Sequence, residues 1–395
     1  MKNSSSRILT THVGSLARPP ELMELMLAKE NGRPYDPDAL AAQVKDSVAD
    51  VVKKQAEAGI DIPSDGEYGK PSFSAYVNQR LTGFEPRERN PNESPILNWG
   101  RDRKAFLEFY EEYDGAARDS QANPVVCTGP ISQVGQEAVQ TDIANFKAAL
   151  DGVEVEEAFL PAVAPGTVEG QRRNEYYSSV KDYLYGIAEA MREEYKAIVD
   201  SGLLLQIDDP RVVTQFDMID PAPTVEEFRR AAELRIEAVN HAIGGLPPER
   251  IRYHLCWGSW HGPHTTDFPL KDIIDLVLKI NAGAYCIEAA NPRHEHEWRV
   301  WEHVKLPDGK ILIPGVIAHT TNTVEHPELV AWRIENFARL VGRRMSSPAA
   351  IAGSPRAHSG LASTLPSCGQ NSAPWRKAPG WLPSGSGKLG SLDKR

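Results

Sequence analysis

Ile251-Arg252-Tyr253-His254-Leu255-Cys256-Trp257 is a short run of β-branched, aromatic and aliphatic residues, and a second such run, Ala284-Tyr285-Cys286-Ile287-Glu288, follows after a helix-like stretch over 270–280. Strand, helix, strand in that order predicts a parallel βαβ pair. Residues i and i+2 of a strand face the same way, so His254 and Cys256 face one way on their strand, as Cys286 and Glu288 do on theirs. The pair therefore offers a nitrogen, a sulfur and a carboxylate oxygen from neighbouring strand ends. Zinc accepts such mixed ligands, and a catalytic zinc typically keeps three protein ligands and one open position. Taken alone, His254-Leu255-Cys256 reads more simply as a core histidine beside a buried cysteine; the neighbouring motifs reverse that preference. Cys286 lies about 6.6 Å deeper along its strand than Glu288 and reads as interior filling rather than a ligand.

The same pattern repeats in both directions along the chain. Apolar or β-branched runs ending in polar residues occur at 8–15, 60–67, 125–132, 203–210, 251–257, 284–293 and 311–319. Stretches at 38–58, 176–200, 224–242, 270–280 and 326–340 carry apolar residues at helical spacing, many beginning near Asp, Thr or Pro. Alternation of this kind predicts the α/β class, and polar groups at nearly every strand's carboxyl end predict a (β/α)8 TIM-type barrel. A doubly wound sheet is the second choice, with no Gly-x-Gly-x-x-Gly opening the first helix. Residues 85–123 and 153–174 read as excursions on the loop side.

Composition narrows the function. With 395 residues and 41% hydrophobic content, the chain has enough apolar material for one large core. Its 54 acidic and 44 basic residues leave a net charge of −10, and no Lys/Arg stripe with interleaved aromatics suggests a nucleic-acid partner. No apolar run is long enough to span a bilayer, and the polar start Met1-Lys2-Asn3-Ser4 is unlike a signal peptide, so a cytoplasmic location away from membranes is expected. Four cysteines in such a length are no disulfide framework, and a reducing compartment leaves thiols available to metal.

Thr11-His12-Val13-Gly14-Ser15, Ser64-Asp65-Gly66-Glu67, Cys127-Thr128-Gly129-Pro130, Gln206-Ile207-Asp208-Asp209-Pro210, His254-Leu255-Cys256, Ile287-Glu288 and Pro314-Gly315-Val316 occur in this order. Their order and content resemble the cobalamin-independent methionine synthases over roughly 8–342, in the short, single-barrel form. The resemblance implies a barrel whose zinc binds homocysteine as a thiolate that attacks the methyl group of a methyl-folate. It implies His254, Cys256 and Glu288 as metal ligands, Ser15 and Glu67 as holders of the amino-acid substrate, and Asp208 as the partner of its ammonium group. His319 resembles the family's proton-donating histidine. The chemistry is sound in its own right: a free thiol titrates at about 8.5, and the thiolate is the nucleophile. Each residue also has a plainer reading, Ser15 as a helix cap, Glu67 as a surface charge and Asp208-Asp209-Pro210 as turn chemistry.

The sequence departs from the family pattern in three places. After Cys127-Thr128-Gly129-Pro130 the family carries a tryptophan near the folate, whereas this chain reads Ile131-Ser132-Gln133-Val134-Gly135. Between the ligand strands, Trp257-Gly258-Ser259-Trp260-His261-Gly262-Pro263-His264 is a longer loop than methionine synthases have. After Arg344 the family expects a last strand ending in Asp-Cys-Gly, which supplies a fourth zinc ligand, and then a helix. The chain instead becomes rich in Ser, Gly and Pro, a composition unsuited to a packed strand and helix. Joining each codon's third base to the next codon's first two permits Asn-Val-Ile-Ala-Gly-Ser-Asp-Cys-Gly-Phe across 344–354, which points to a shifted reading frame. The expected organisation is a zinc-dependent barrel over 1–343, with its eighth strand and last helix lost, and an aberrant, disordered tail over 344–395. Three activities follow: methyl transfer to a homocysteine-like thiol from a methyl-folate-like donor, alkyl transfer to another thiol as in epoxide opening by coenzyme M, or none, in a damaged remnant.

Overall fold

The computed structural model describes residues 1–4, 7–88, 100–114, 124–321, 323–342 and 349–351. In chain order its strands are β1 (Thr11–Val13), β2 (Phe84–Pro86), β3 (Val125–Cys127), β4 (Phe159–Val163), β5 (Arg173–Asn174), β6 (Leu204–Asp208), β7 (Ile251–Leu255), β8 (Ala284–Glu288), β9 (Ile311–Ile317) and β10 (Ala349–Ile351). Seven of them form one sheet in the order β1-β10-β9-β8-β7-β6-β4, and every pair in it is parallel. Parallel bridges Thr11↔Ile62 and Ser64↔Phe159 place residues 62–64 between the two outer strands, β1 and β4. The fold is thus mixed α/β on a parallel sheet.

Helices cover the sheet because their apolar residues recur at three- and four-residue spacing. Val180–Asp200 buries Tyr183, Leu184, Ile187, Met191, Tyr195 and Ile198, and starts where the Ser179 hydroxyl accepts from the Asp182 N–H. Val225–Ala242 opens with a reciprocal capping box between Thr224 and Glu227. The sheet strands β4 and β6 to β9 are buried along their whole length, as expected of a parallel sheet covered by helices.

Four expectations need correction. Val125–Cys127 is not a strand of the main sheet: it joins a small three-stranded sheet, antiparallel to β2 and parallel to β5. The main-sheet strand in that part of the chain is β4, inside the stretch read as an excursion. Pro161 hid it, because proline lacks a ladder donor and seldom sits mid-strand. The expected helix over 270–280 is broken into a 3-10 turn at Leu270–Asp272 and a short helix at Ile274–Val277. Finally, the strand expected to be lost is present: β10 lies between β1 and β9, with Thr11 opposite Ala349 and Ala349 opposite Gly315. Two parallel edges expose rows of backbone donors and acceptors, and an extended three-residue segment satisfies them whatever its side chains. The rest of the 344–395 tail, with the expected final helix, lies outside the described residues.

A buried cation ties the small sheet's neighbourhood to the helical layer. The Arg80 guanidinium donates to Glu194 at 3.0 Å and to Asp142, and stands over the Tyr76 ring at 4.7 Å. Arg80 is 5% and Glu194 1% exposed, so neither charge has water to fall back on. Arg80→Ala is expected to destabilise the fold by about 3–5 kcal/mol through the stranded carboxylates. Urea unfolding of both proteins, with similar slopes, checks this; a loss under about 1 kcal/mol would mean that the carboxylates find other partners.

Candidate active site

Register builds the site. Asp208 is opposite His254, His254 is opposite Cys286, and Leu255 is opposite Ile287, so one residue further on Cys256 and Glu288 leave their strands together. All four chemistry-bearing side chains are buried: Asp208, His254, Cys256 and Glu288 are each no more than 6% exposed. Asp208 Oδ1 faces His254 Nδ1 at 2.8 Å and also accepts from Gln206 Nε2 at 2.7 Å. Because a carboxylate only accepts, the proton is on Nδ1 and orients the ring. His254 Nε2 is left without a hydrogen bond. Burial alone would lower the affinity of His254 for protons, yet Cys256 and Asp208 together raise it well above the ordinary 6.5.

Glu288 divides its two oxygens. Oε2 accepts the Trp257 backbone N–H at 2.9 Å, and Oε1 is buried without a partner. His319 Nε2 faces the Gly258 carbonyl at 3.2 Å, which fixes the donor there. Its Nδ1, also unpartnered, is 3.9 Å from Glu288 Oε1. Burial pushes His319 below the usual histidine value, only partly offset by Glu288, so Nδ1 presents a lone pair. Cys256 is a free cysteine. Among the described residues, no three His, Cys, Asp or Glu side chains are drawn close enough together to hold a metal ion. His254 Nε2 and Glu288 Oε1 are nonetheless buried without hydrogen bonds at strand ends adjoining the free Cys256, a nitrogen, oxygen and sulfur set of the kind zinc accepts, and buried polar atoms seldom stay unpaired without a reason.

Ser15 and Glu67 meet: the Ser15 hydroxyl donates to Glu67 Oε2, while Glu67 Oε1 is buried and unpartnered. The backbone there is held in an unusual shape, with Gly66 at φ +65° and Glu67, a side-chain-bearing residue, at φ +60°. A Cβ on Gly66 would meet Tyr68 at 3.1 Å and the Leu16 Cβ at 3.2 Å, so glycine is required on both counts. Non-glycine residues are kept in this region only where the surroundings over-determine it, and such positions cluster at functional sites. Burial, then the Asp208 carboxylate, push Glu67 up to about 7. Glu67 and Asp208 are thus electrostatic neighbours, although they lie far apart in the sequence.

Several participants escaped sequence reasoning. The sequence offers Asp208 as a catalytic residue and a partner of the substrate's ammonium group, not as the orienting group of His254. Trp257, through its backbone, and the cluster behind it were also missed. The Trp257 ring stacks on His294 at 3.8 Å and 19°, and its Nε1 donates to the Phe268 carbonyl at 2.8 Å. One oxygen of Asp267, Oδ2, faces both His264 Nδ1 at 2.8 Å and His294 Nε2 at 2.9 Å. The other ring nitrogens face the Trp260 carbonyl and Glu297 Oε2. Four acceptors on four ring nitrogens require both imidazoles to be cations. Burial opposes this, but Asp267 outweighs it for His264, and Asp267 with Glu297 raises His294 to about 9. The unusual loop Trp257 to His264 was the signal.

No family model matches the sequence. The methionine synthase of Thermococcus kodakarensis is 24% identical over 333 residues, covering 84% of this chain and 82% of that protein. The methionine synthase of Sulfolobus acidocaldarius is 25% identical over 282 residues, covering 71% and 70%. Among solved structures, a B12-independent methionine synthase from Shewanella sp. W3-18-1 in complex with selenomethionine superimposes with a TM-score of 0.67 at 19% identity, covering 94% of this chain and 97% of that one. A putative vitamin-B12-independent methionine synthase from Listeria monocytogenes gives 0.61 at 19%, covering 87% and 90%. At that identity the structural likeness establishes a shared fold.

The paired imidazolium ions make the loop sensitive to base. A histidine whose folded pKa is raised adds stability that is full below its unfolded value, near 6.5, and lost as pH rises through about 9. Thermal midpoints measured from pH 6 to 10 should fall across that window in the native chain, and the fall should be shallower in His294→Phe. Identical profiles would mean that His294 is not held as a cation.

Proposed function

We propose that this chain, which resembles the cobalamin-independent methionine synthases along most of its length, transfers a methyl group to the thiol of homocysteine. The observation that carries the reading is that the unpartnered His254 Nε2 and Glu288 Oε1 and the free Cys256 stand at adjoining strand ends, with Asp208 fixing the histidine from behind. The sheet reads as a closed (β/α)8 barrel, with residues 62–64 standing as the strand between β1 and β4. Zinc is the metal that this nitrogen, sulfur and oxygen set suits, and when bound it lowers a thiol's pKa so that the thiolate is available at neutral pH.

The remaining work belongs to the chain's own residues. Glu67, paired with Ser15 and with one oxygen unsatisfied, holds the amino acid end of the acceptor, and Asp208 adds negative charge toward its ammonium group. A carboxyl group near 7 is one that a bound ammonium ion would ionise fully. In the transfer a sulfur–carbon bond forms and the donor's nitrogen–carbon bond breaks, with the sulfur's electron pair supplying the new bond. The departing nitrogen must gain a proton. His319, neutral and with its Nδ1 lone pair turned inward, takes the thiol's proton and returns it there. The donor is a methylated tertiary amine of the methyl-folate type.

Purified chain should carry zinc close to one per molecule and form methionine from homocysteine and a methyl-folate. Cys256→Ser should lower metal occupancy and reduce turnover by at least about 100-fold, more than the loss of an outer partner costs. A zinc-loaded native chain that makes no methionine would sink the methyl-folate reading. Turnover of an epoxide with coenzyme M instead would move the assignment to thiol alkylation, a change in keeping with Ile131 in place of the family's tryptophan.

A further inference from the structure

The loop that separates the ligand strands is longer than the resemblance requires, and its backbone, rather than its side chains, reaches the site. The Trp257 N–H occupies Glu288 Oε2, and the Gly258 carbonyl occupies His319 Nε2. These two contacts decide which atoms are left over: Glu288 Oε1 and His319 Nδ1, both buried, both unpartnered and 3.9 Å apart. The backbone of two consecutive residues therefore aims two chemically different side chains.

What fixes those peptide groups is one carboxylate. Asp267 Oδ2 receives His264 and His294, and each ring stacks on a tryptophan of the loop, His294 on Trp257 and His264 on Trp260 at 4.3 Å. His294 is tied further to Glu297, whose other oxygen accepts the Leu270 N–H at 2.8 Å. His264 sits at φ +56°, a conformation that a histidine adopts only under restraint. A second brace comes from the excursion: Asp102 accepts from the Thr265 N–H at 2.9 Å and from Tyr110 at 2.8 Å, and Tyr110 in turn accepts from Trp260 Nε1 at 3.1 Å.

We infer that Asp267 is a positioning residue for the reaction: by pinning His264 and His294 it holds the Trp257–Gly258 backbone so that Glu288 Oε1 and His319 Nδ1 face the acceptor's sulfur. This rests on the metal-site reading given above. Groups bonded directly to metal ligands typically change metal affinity or activity 10- to 100-fold when removed, and Asp267 acts on Glu288 from further back, through His294 and the Trp257 backbone.

Cobalt(II) is the probe, because its d–d bands report ligand number and geometry. The full-length chain and Asp267→Asn are prepared metal-free, titrated with cobalt(II), and ranked for zinc affinity by chelator competition. Asparagine keeps the shape of the side chain but has no charge for two imidazolium ions. The expected result is a changed d–d envelope, zinc affinity lower by about 10- to 100-fold, and kcat reduced more than KM for homocysteine rises, with an unaltered circular dichroism spectrum. Native-like cobalt spectra and affinity in Asp267→Asn, even at a lowered thermal midpoint, would overturn the positioning role and leave the metal reading standing. Failure of the native chain to bind cobalt or zinc would overturn the metal reading, and this role with it. If Asp267→Asn does not fold, Glu297→Gln is read in the same way: a loss of about tenfold in affinity supports the role, and none overturns it.

Discussion

The 2.8 Å contact between Asp208 and His254 depends on two parallel strands being in register, and most of what the molecule can do depends on that contact. Slipping either strand by one residue would turn the histidine away from the carboxylate and send Cys256 to the opposite face. The burial of whole strands in the helical layer prevents the slip, since it would expose apolar side chains and bury polar ones at every position. The core therefore does more than stabilise. It sets the azimuth of one imidazole ring and leaves its second nitrogen buried without a hydrogen bond.

Charge at the site is arranged in two shells of opposite character. Inside, Glu67, Asp208, Glu288 and Cys256 gather acidic groups that a cation and an ammonium ion would neutralise. Behind the loop, two imidazolium ions are matched to Asp267 and Glu297, a closed set that needs nothing from outside. The first arrangement is incomplete by design of its geometry and the second is complete. That contrast separates the part of the structure awaiting ligands from the part that supports it.

Much of this was legible in the sequence, and the failures have physical reasons. Strands ending in Asp208, Cys256, Glu288 and His319 announced themselves because apolar runs gave way to polar residues at their carboxyl ends. Ser15 and Glu67 lie far apart in sequence, yet they meet. The strand Phe159–Val163 was illegible because proline at 161 argues against any strand, and its carbonyl turns out to serve Lys70 instead. The pairing of Asp208 with His254 was illegible because it belongs to register, which local pattern does not encode. Asp267 was hidden in a loop without periodicity, where only three-dimensional proximity of His264 and His294 gives it meaning.

The three-residue strand Ala349–Ile351 carries a wider implication. It sits between the first and ninth strands, so the continuity of the sheet there is maintained by main-chain atoms that every amino acid possesses. Shape and reactivity in this molecule consequently have different tolerances to genetic damage. A change of reading frame can rewrite every side chain in that segment and still deliver a peptide ribbon able to fill the slot, while erasing whatever donor atoms selection had stationed beyond it. The continuity of the sheet would then survive such a change, while Asp208, His254, Cys256 and Glu288, carried on other strands, would be untouched by it.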